Sequence, residues 1–285
     1  MVLPVSATPE SRLRLQYAQE IAAVCLPSLY DEIALTGSSA RGIATPSSDL
    51  EINFWVQTLP DIDSRKQWMI SLGTAQVIAH AVPRPDESYW VNGMYNGIEI
   101  EAGWQTFDAL DIALTDLIEA RTTDHKALRL AELVLSAKSL RGSGALQKWQ
   151  PILRTYPSQL APKLIEEALS DWLTVTWLSD HQASADYKDD IHRIWRIVFA
   201  LNHQWEINWK YAHFSVPSLN IYPKNIANRI ADMQQSHTPQ SSKLMLELIE
   251  ETLQCIQAQD ETYSGLSETR NQCHLLLEQF TSFNS

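Results

Sequence analysis

Between Leu35 and Phe54 the chain reads LTGSSARGIATPSSDLEINF, in which a Gly-Ser turn is followed by two carboxylates, Asp49 and Glu51, at positions i and i+2. Alternate residues of a strand point to one face. Asp49 and Glu51 are therefore expected to share a pocket, where like charges at close range repel unless a cation neutralises them. Oxygen donors of this kind suit a hard ion, magnesium above all. A third acid recurs in Gly97-Ile98-Glu99-Ile100-Glu101, where the isoleucines should face the core and both glutamates the opposite side. Glu99 is the expected third ligand, with Glu101 on the same face as the alternative. Three carboxylates can hold two magnesium ions about 3.5 to 4 Å apart, and such a pair stabilises the attacking and leaving oxygens of an in-line phosphoryl displacement. Gly37 would let the backbone approach a phosphate, the Ser38 hydroxyl and following amides would donate to its oxygens, and Arg41 would add a positive fork. Asp61 and Asp63 repeat the spacing but follow Pro60 in an expected loop, where capping or solvation is the ordinary role.

The elements that must position these groups follow from local pattern. Helical spacing over Glu10–Leu26 ends at Pro27, and Ile33–Leu35 forms a short strand entering the Gly-Ser turn. Asp49–Val56 alternates as a strand should. A helix is expected over Ser64–Leu72 and a strand over Gln76–Val82, and then YWVNGMYNGIEIEAGW carries two Asn-Gly pairs, a hairpin signal. From Ala109 the spacing turns helical, in Ala109–Ile118 and His125–Ala137, so the sheet should be finished by then. The glycines, serines and proline of SLRGSGALQKWQP suggest a joint near Gly142–Pro151. Beyond it helices are expected over Leu160–Leu178, Ala185–Lys210, Ile226–Gln234, Ser241–Gln259 and Ser267–Phe280. The expected architecture is α+β: a small mixed-sheet domain with flanking helices over residues 1–145, then an all-α domain over 146–285.

Composition narrows the classes. With 285 residues, 45% of them hydrophobic and 20% charged, the chain has the composition of a packed globular protein. Its apolar runs stop well short of the roughly 20 residues a bilayer span needs. The opening MVLPVSATPESRLRL has prolines and an acid where a secretory leader needs a basic start and an apolar run, so a cytoplasmic location is expected. Cys25, Cys255 and Cys273 are odd in number and far apart, which points to reduced thiols. A net charge of −12 argues against broad affinity for nucleic acid and would favour a cationic small molecule.

The Gly-Ser turn, the spacer, Asp-x-Glu and the later acid together resemble the polymerase-β-like nucleotidyltransferases, and Ser48-Asp49-Leu50-Glu51 is similar to the core of the aminoglycoside and lincosamide type. The runs RGSGALQKWQPILRTYPSQLAPKLI and FALNHQWEINWK look more loosely like the helical half of bacterial nucleotidyltransferase-domain proteins. The resemblance implies a magnesium-dependent enzyme that transfers a nucleoside monophosphate, expected to be AMP from ATP, to a hydroxyl of a small acceptor and releases pyrophosphate. It implies metal held by Asp49, Glu51 and Glu99, expected as two magnesium ions, and nucleotide held by Gly37, Ser38, Arg41 and Ser48. From the helical half it implies a base on the acceptor, for which Glu166 is chosen among Glu166, Glu167 and Asp171. Lys210 or Arg193 could reach the triphosphate from the helix carrying Asp189, Asp190, His192 and Arg196, and Lys210 is the choice. Trp172, Trp177, Trp195, Trp205 and Trp209 fit core packing by their spacing. The implied partners are a nucleoside triphosphate and a small acceptor, without membrane or nucleic acid, and a homodimer is compatible. A protein or RNA acceptor, or a nucleotide-binding regulator without turnover, is the alternative.

Overall fold

The computed structural model describes residues 3–84, 87–174, 187–235 and 239–282. The chain divides into two compact units, Met1–Ile118 with Asp124–Thr155, and Glu119–Thr123 with Tyr156–Ser285. The first is α+β and the second, among its described residues, is helical.

The first unit is built on six strands: β1 (Glu32–Leu35), β2 (Leu50–Val56), β3 (Ala75–Ala79), β4 (Tyr89–Tyr95), β5 (Ile98–Thr106) and β6 (Lys138–Gly142). They lie in the order β3-β4-β5-β2-β1-β6. β2 and β5 run parallel and the other neighbours antiparallel. Helices α1 (Pro9–Ala23), α2 (Gly37–Arg41), α3 (Ile62–Ser71), α4 (Phe107–Ile118), α5 (His125–Ser136) and α6 (Ala145–Leu153) complete it. Alternation sends Leu50, Ile52, Phe54 and Val56 of β2 and Ile100, Ala102 and Trp104 of β5 to one face. There they meet Ala18, Ile21 and Ala22 of α1 and Trp68 and Met69 of α3. Phe54 stacks on Trp104 at 4.4 Å between ring centroids, and Trp68 stands edge-on to both. Every odd-numbered residue of β2 and β5 is thereby turned to the other face.

Only the second Asn-Gly pair makes the hairpin turn. Asn96 and Gly97 take φ of 50° and 80° between β4 and β5, as a tight two-residue turn requires. Gly93, from the first pair, lies inside β4, where an added Cβ would sit 2.4 Å from Thr74 Cγ2. Asp61 caps α3 by accepting the Ser64 N–H at 2.7 Å.

The sheet is not finished at Ala109. After α4 and α5 the chain returns as β6 and pairs with the outer edge of β1, Glu32 opposite Gly142. Arg141 holds the strand in place by donating to the carbonyls of Ala22, Ala23 and Cys25 at the end of α1 and lying over the Tyr30 ring. The Gly142–Pro151 stretch is thus the end of β6 and most of α6. Gly142 has a φ of +74°, and a Cβ there would lie 1.9 Å from the Asp31 carbonyl oxygen, so the position belongs to glycine for reasons of contact as well as conformation.

The second unit contains α7 (Leu160–Thr174), α8 (Lys188–Leu201), a 3-10 segment (Trp209–Ser218), α9 (Ile226–Gln235), α10 (Pro239–Gln259) and α11 (Leu266–Ser282). Residues 175–178 and 185–186 of the expected helices lie outside the described residues, Trp177 among them. α8 stops at Leu201 rather than running to Lys210. Asn202 terminates it, with its Nδ2 donating to Val198 O at 2.7 Å and its Oδ1 accepting Asn220 N at 2.7 Å, and His203 follows at a left-handed φ of 50°. Trp209 and Lys210 are therefore not on the helix that carries Arg193. Trp172, Trp195 and Trp205 are buried in the core of this unit. Among the described residues no helix is long and apolar enough to cross a membrane.

Two outcomes follow. Gly142→Ala should destabilise the protein by about 2 kcal/mol or more, since it adds a strained φ to a backbone clash; an unchanged midpoint in chemical denaturation would refute the contact. Burial pushes the Cys25 and Cys273 thiols up to about 12. Both should react slowly with a thiol reagent at pH 8 in the native protein and fully once it is unfolded; rapid native labelling of either, located by mass spectrometry, would contradict the burial.

Candidate active site

Glu51 is placed by a chain of local causes that begins at Thr36. β1 ends there, and the Thr36 N–H continues the ladder to Glu51 O at 3.1 Å while its hydroxyl donates to Asn53 Oδ1 at 3.0 Å. The next residue, Gly37, turns the chain with φ +65°. A Cβ at Gly37 would lie 2.4 to 2.5 Å from the Glu51 carboxyl carbon and both its oxygens. The glycine's missing side chain is thus filled by the Glu51 carboxylate. Beside it the Ser38 and Ser39 hydroxyls are buried and, among the described residues, have no hydrogen-bond partner, a state that ordinarily costs about 1 to 3 kcal/mol per group.

Parallel pairing sets what stands level with Glu51. In the β2–β5 register Leu50 is opposite Ile100 and Glu51 is opposite Glu101, so the two glutamates project side by side from the face away from the core. Glu101 is also level with Asn92 of β4, whose Nδ2 donates to it at 2.9 Å, and Arg84 Nη2 lies 3.4 Å from each of its oxygens. Glu99 is one step further out, level with Met94, and exposed. At the other end of this face Glu32 is buried and accepts the Leu146 N–H of α6 at 3.2 Å. Burial pushes its carboxyl up, and the Leu146 and Ala145 amides counter that in part.

Asp49 precedes β2 in a loop fixed from α1. Arg14 is buried in the protein, and its guanidinium donates to Ser48 O, to Asp49 O at 3.2 Å, to Pro46 O at 3.3 Å and to Glu10 O at 3.2 Å. One turn earlier Ser11 Oγ accepts the Ala44 N–H at 2.9 Å and Thr8 Oγ1 donates to Ala44 O at 2.8 Å. The Ser48 hydroxyl is part of the same loop, accepting the Thr45 N–H at 2.9 Å. Motif spacing does not reveal Arg14, but position does: it falls on the helical stripe of Ala18, Ile21, Ala22 and Cys25, which otherwise belongs to the core.

Arg41 is engaged with α5. Its guanidinium makes a two-pronged ion pair with Glu132 of α5, Nε to Oε1 at 2.8 Å and Nη2 to Oε2. Glu166 and Lys210 belong to the second unit. Glu166 is an exposed residue of α7 between buried Ile165 and Ala168, with its charge near Tyr263. Lys210 is exposed, with its Nζ 4.8 Å from the centre of the Tyr211 ring. On α8, Arg193 pairs with Asp190 at 3.1 Å and Asp171 at 3.6 Å, and Arg196 with Glu206 at 3.4 Å.

Among the described residues no group of three or more His, Cys, Asp or Glu side chains is gathered as a metal site. The Glu51 carboxylate at the Gly37 turn is a hard oxygen donor, as is Glu101 level with it on β5. Magnesium is commonly held by one or two such carboxylates with phosphate oxygens of a substrate completing its shell, and the chemistry of these donors fits that ion.

No protein-family model matches the chain, and no curated protein matches it. Among solved structures it is similar to a nucleotidyltransferase-like protein from Exiguobacterium sibiricum 255-15, with 12% identity over 95% of this chain and 78% of the other and a TM-score of 0.31. A likeness at that level decides nothing about chemistry.

The Arg14 anchor is open to test. Arg14→Met strips donors from several buried carbonyls and should cost about 2 to 4 kcal/mol. Arg14→Lys keeps the charge without the fork and should lose less, yet should speed amide hydrogen exchange at Ser48, whose N–H bonds Thr45 O at 3.0 Å. Unaltered exchange there in a folded Arg14→Lys protein would mean the loop is held by something else.

Proposed function

We propose that this chain is a magnesium-dependent nucleotidyltransferase that moves a nucleoside monophosphate, AMP from ATP, onto a hydroxyl of a small acceptor. One arrangement supports this reading above the rest. A carboxylate is seated in the space of the Gly37 turn, two buried serine hydroxyls beside it have no partner, and a second glutamate stands level on the adjacent parallel strand.

In the proposed reaction the acceptor oxygen bonds to the α-phosphorus as the bond to the β-phosphate's bridging oxygen breaks. Pyrophosphate leaves, and the acceptor's proton passes to a base. Bound magnesium neutralises charge on the phosphoryl oxygens and on the leaving group. Asp49 and Glu51 would hold it, with Glu101 as third carboxylate by virtue of its register and Glu99, further out, as the competing assignment. Glu51 would be one of the residues holding the ion, and the Gly37 turn with its Ser38 hydroxyl would offer donors to a phosphate oxygen. Arg14 keeps the Asp49 backbone in place throughout. Ser48 shapes the loop, and Arg41, already paired with Glu132, braces α2 against α5. The base on the acceptor, for which Glu166 stands, is carried by resemblance alone, and Lys210, read as a triphosphate contact from its expected place on the helix of Arg193, lies beyond the end of that helix. A net charge of −12 favours a cationic acceptor, of the aminoglycoside kind.

Incubation with Mg2+, labelled nucleoside triphosphates and a panel of hydroxylated cations should release pyrophosphate and label one acceptor. Asp49→Asn and Glu51→Gln should each lower the rate by about a hundredfold or more, as loss of a group aimed at developing charge does. Glu101→Gln should be far more damaging than Glu99→Gln. The reverse order would give the third place to Glu99. Label entering macromolecules of a lysate would redirect the reading to a protein or RNA acceptor, and magnesium-dependent nucleotide binding without turnover would make the chain a regulator. If no nucleotide binds or turns over and Asp49→Asn behaves as the parent does, the proposal is wrong.

A further inference from the structure

Glu101 does not stand in open water beside Glu51. It is met by Arg84, and the support beneath Arg84 is layered. Gly103 of β5 forms the floor: an added Cβ would lie 2.7 Å from Trp90 Cζ2, so the indole rests directly on the backbone. Trp90 is fixed on that floor by donating its Nε1–H to Ser88 Oγ at 2.5 Å. Arg84 lies on the indole, 3.9 Å from the ring centre to Cζ, and the chain there is turned back so that the Arg84 N–H donates to Ser88 O at 2.8 Å. From this seat Nη2 reaches both Glu101 oxygens at 3.4 Å. The side chain is nonetheless 45% exposed, against 20% for Glu101. An anchored stem, a stacked face and a half-solvated head describe a cation that is aimed but not locked.

Glu101, level with Glu51 on the neighbouring strand, is the carboxylate that Arg84 meets, and a cation beside it favours its charged form. We infer that Arg84 is the internal counter-cation of Glu101: it releases Glu101 when a divalent cation enters with a nucleoside triphosphate and turns its guanidinium to the polyphosphate. This rests on the nucleotidyltransferase reading and adds a positioning residue to it. A planar fork is matched equally to a carboxylate and to a phosphate, so the exchange keeps its hydrogen bonds. Pivoting over Trp90 needs no change in the strands.

The inference has a signature that a merely structural arginine lacks, because removing Arg84 should move two affinities in opposite directions. Wild type, Arg84→Met and Arg84→Lys are titrated as full chains with Mn2+ alone, followed by electron paramagnetic resonance, and with a non-hydrolysable ATP analogue in Mg2+, by calorimetry. Arg84→Met should bind Mn2+ about twofold to fivefold more tightly, the worth of an exposed ion pair that no longer competes. It should bind the analogue about tenfold more weakly, having lost a charge-assisted contact. Arg84→Lys should bind Mn2+ as wild type does. Both affinities moving together, neither moving, or Arg84→Lys matching Arg84→Met toward Mn2+ overturns the inference. Asp49→Asn separates the two levels: if it abolishes analogue binding while Arg84→Met equals wild type, only the role of Arg84 fails. If wild type and Asp49→Asn alike bind no analogue, the nucleotidyltransferase reading fails and this inference with it.

Discussion

The parallel register between β2 and β5 is the constraint on which the rest of the first unit depends. It places Leu50 against Ile100 and Phe54 against Trp104 on the core face, and by the same pairing Glu51 against Glu101 on the other. Because side chains alternate with a period of two, a slip of one residue in either strand would carry charged groups into the core and apolar ones out of it. The Phe54–Trp104 stack, with Trp68 edge-on to both, makes such a slip prohibitive. The position of the acids is therefore enforced from behind, by aromatic packing they do not touch.

Polar anchoring completes what packing begins. Two ends of the site are tied to different helices by different chemistry. Thr8, Ser11 and Arg14 of α1 and its cap hold the loop that delivers Asp49, almost entirely through backbone carbonyls and amides. Arg41 ties α2 to α5 through a carboxylate pair. Arg14 spends its guanidinium on backbone carbonyls, whereas the two-pronged pair with Glu132 engages both arms of the Arg41 fork. Arginines close together in sequence thus take unlike roles according to what the fold sets opposite them.

Much of this arrangement was legible in the amino-acid sequence, and the exceptions share a cause. β2, the turn at Gly37 and the Asn96-Gly97 hairpin rest on alternation and turn chemistry, which act over a few residues. β6 does not: Lys-Ser-Leu-Arg-Gly has no alternating pattern, and it becomes a strand because the outer edge of β1, about a hundred residues earlier by the register, offers unpaired backbone. Which of Glu99 and Glu101 stands level with Glu51 was likewise beyond local pattern, since both share a face and only pairing with β2 tells them apart. Arg14 left a trace, a charged residue on an apolar helical stripe, but its carbonyl partners come from a loop more than thirty residues on. Resemblance supplied the role of Glu166, and the expected helix over Ala185–Lys210 that of Lys210; within the helical unit both are exposed surface residues.

The late arrival of β6 also bears on how the protein is made and can be divided. Until residue 142 has emerged, β1 lacks its outer neighbour, and a nascent chain with the motif already synthesised would carry a bare sheet margin of the kind that recruits foreign strands. Residues 119–123, in turn, belong to the helical unit although they lie between α4 and α5. No single scission of the polypeptide yields either half intact, so a recombinant fragment containing the motif needs a designed bridge in place of that short excursion and must extend through Thr155.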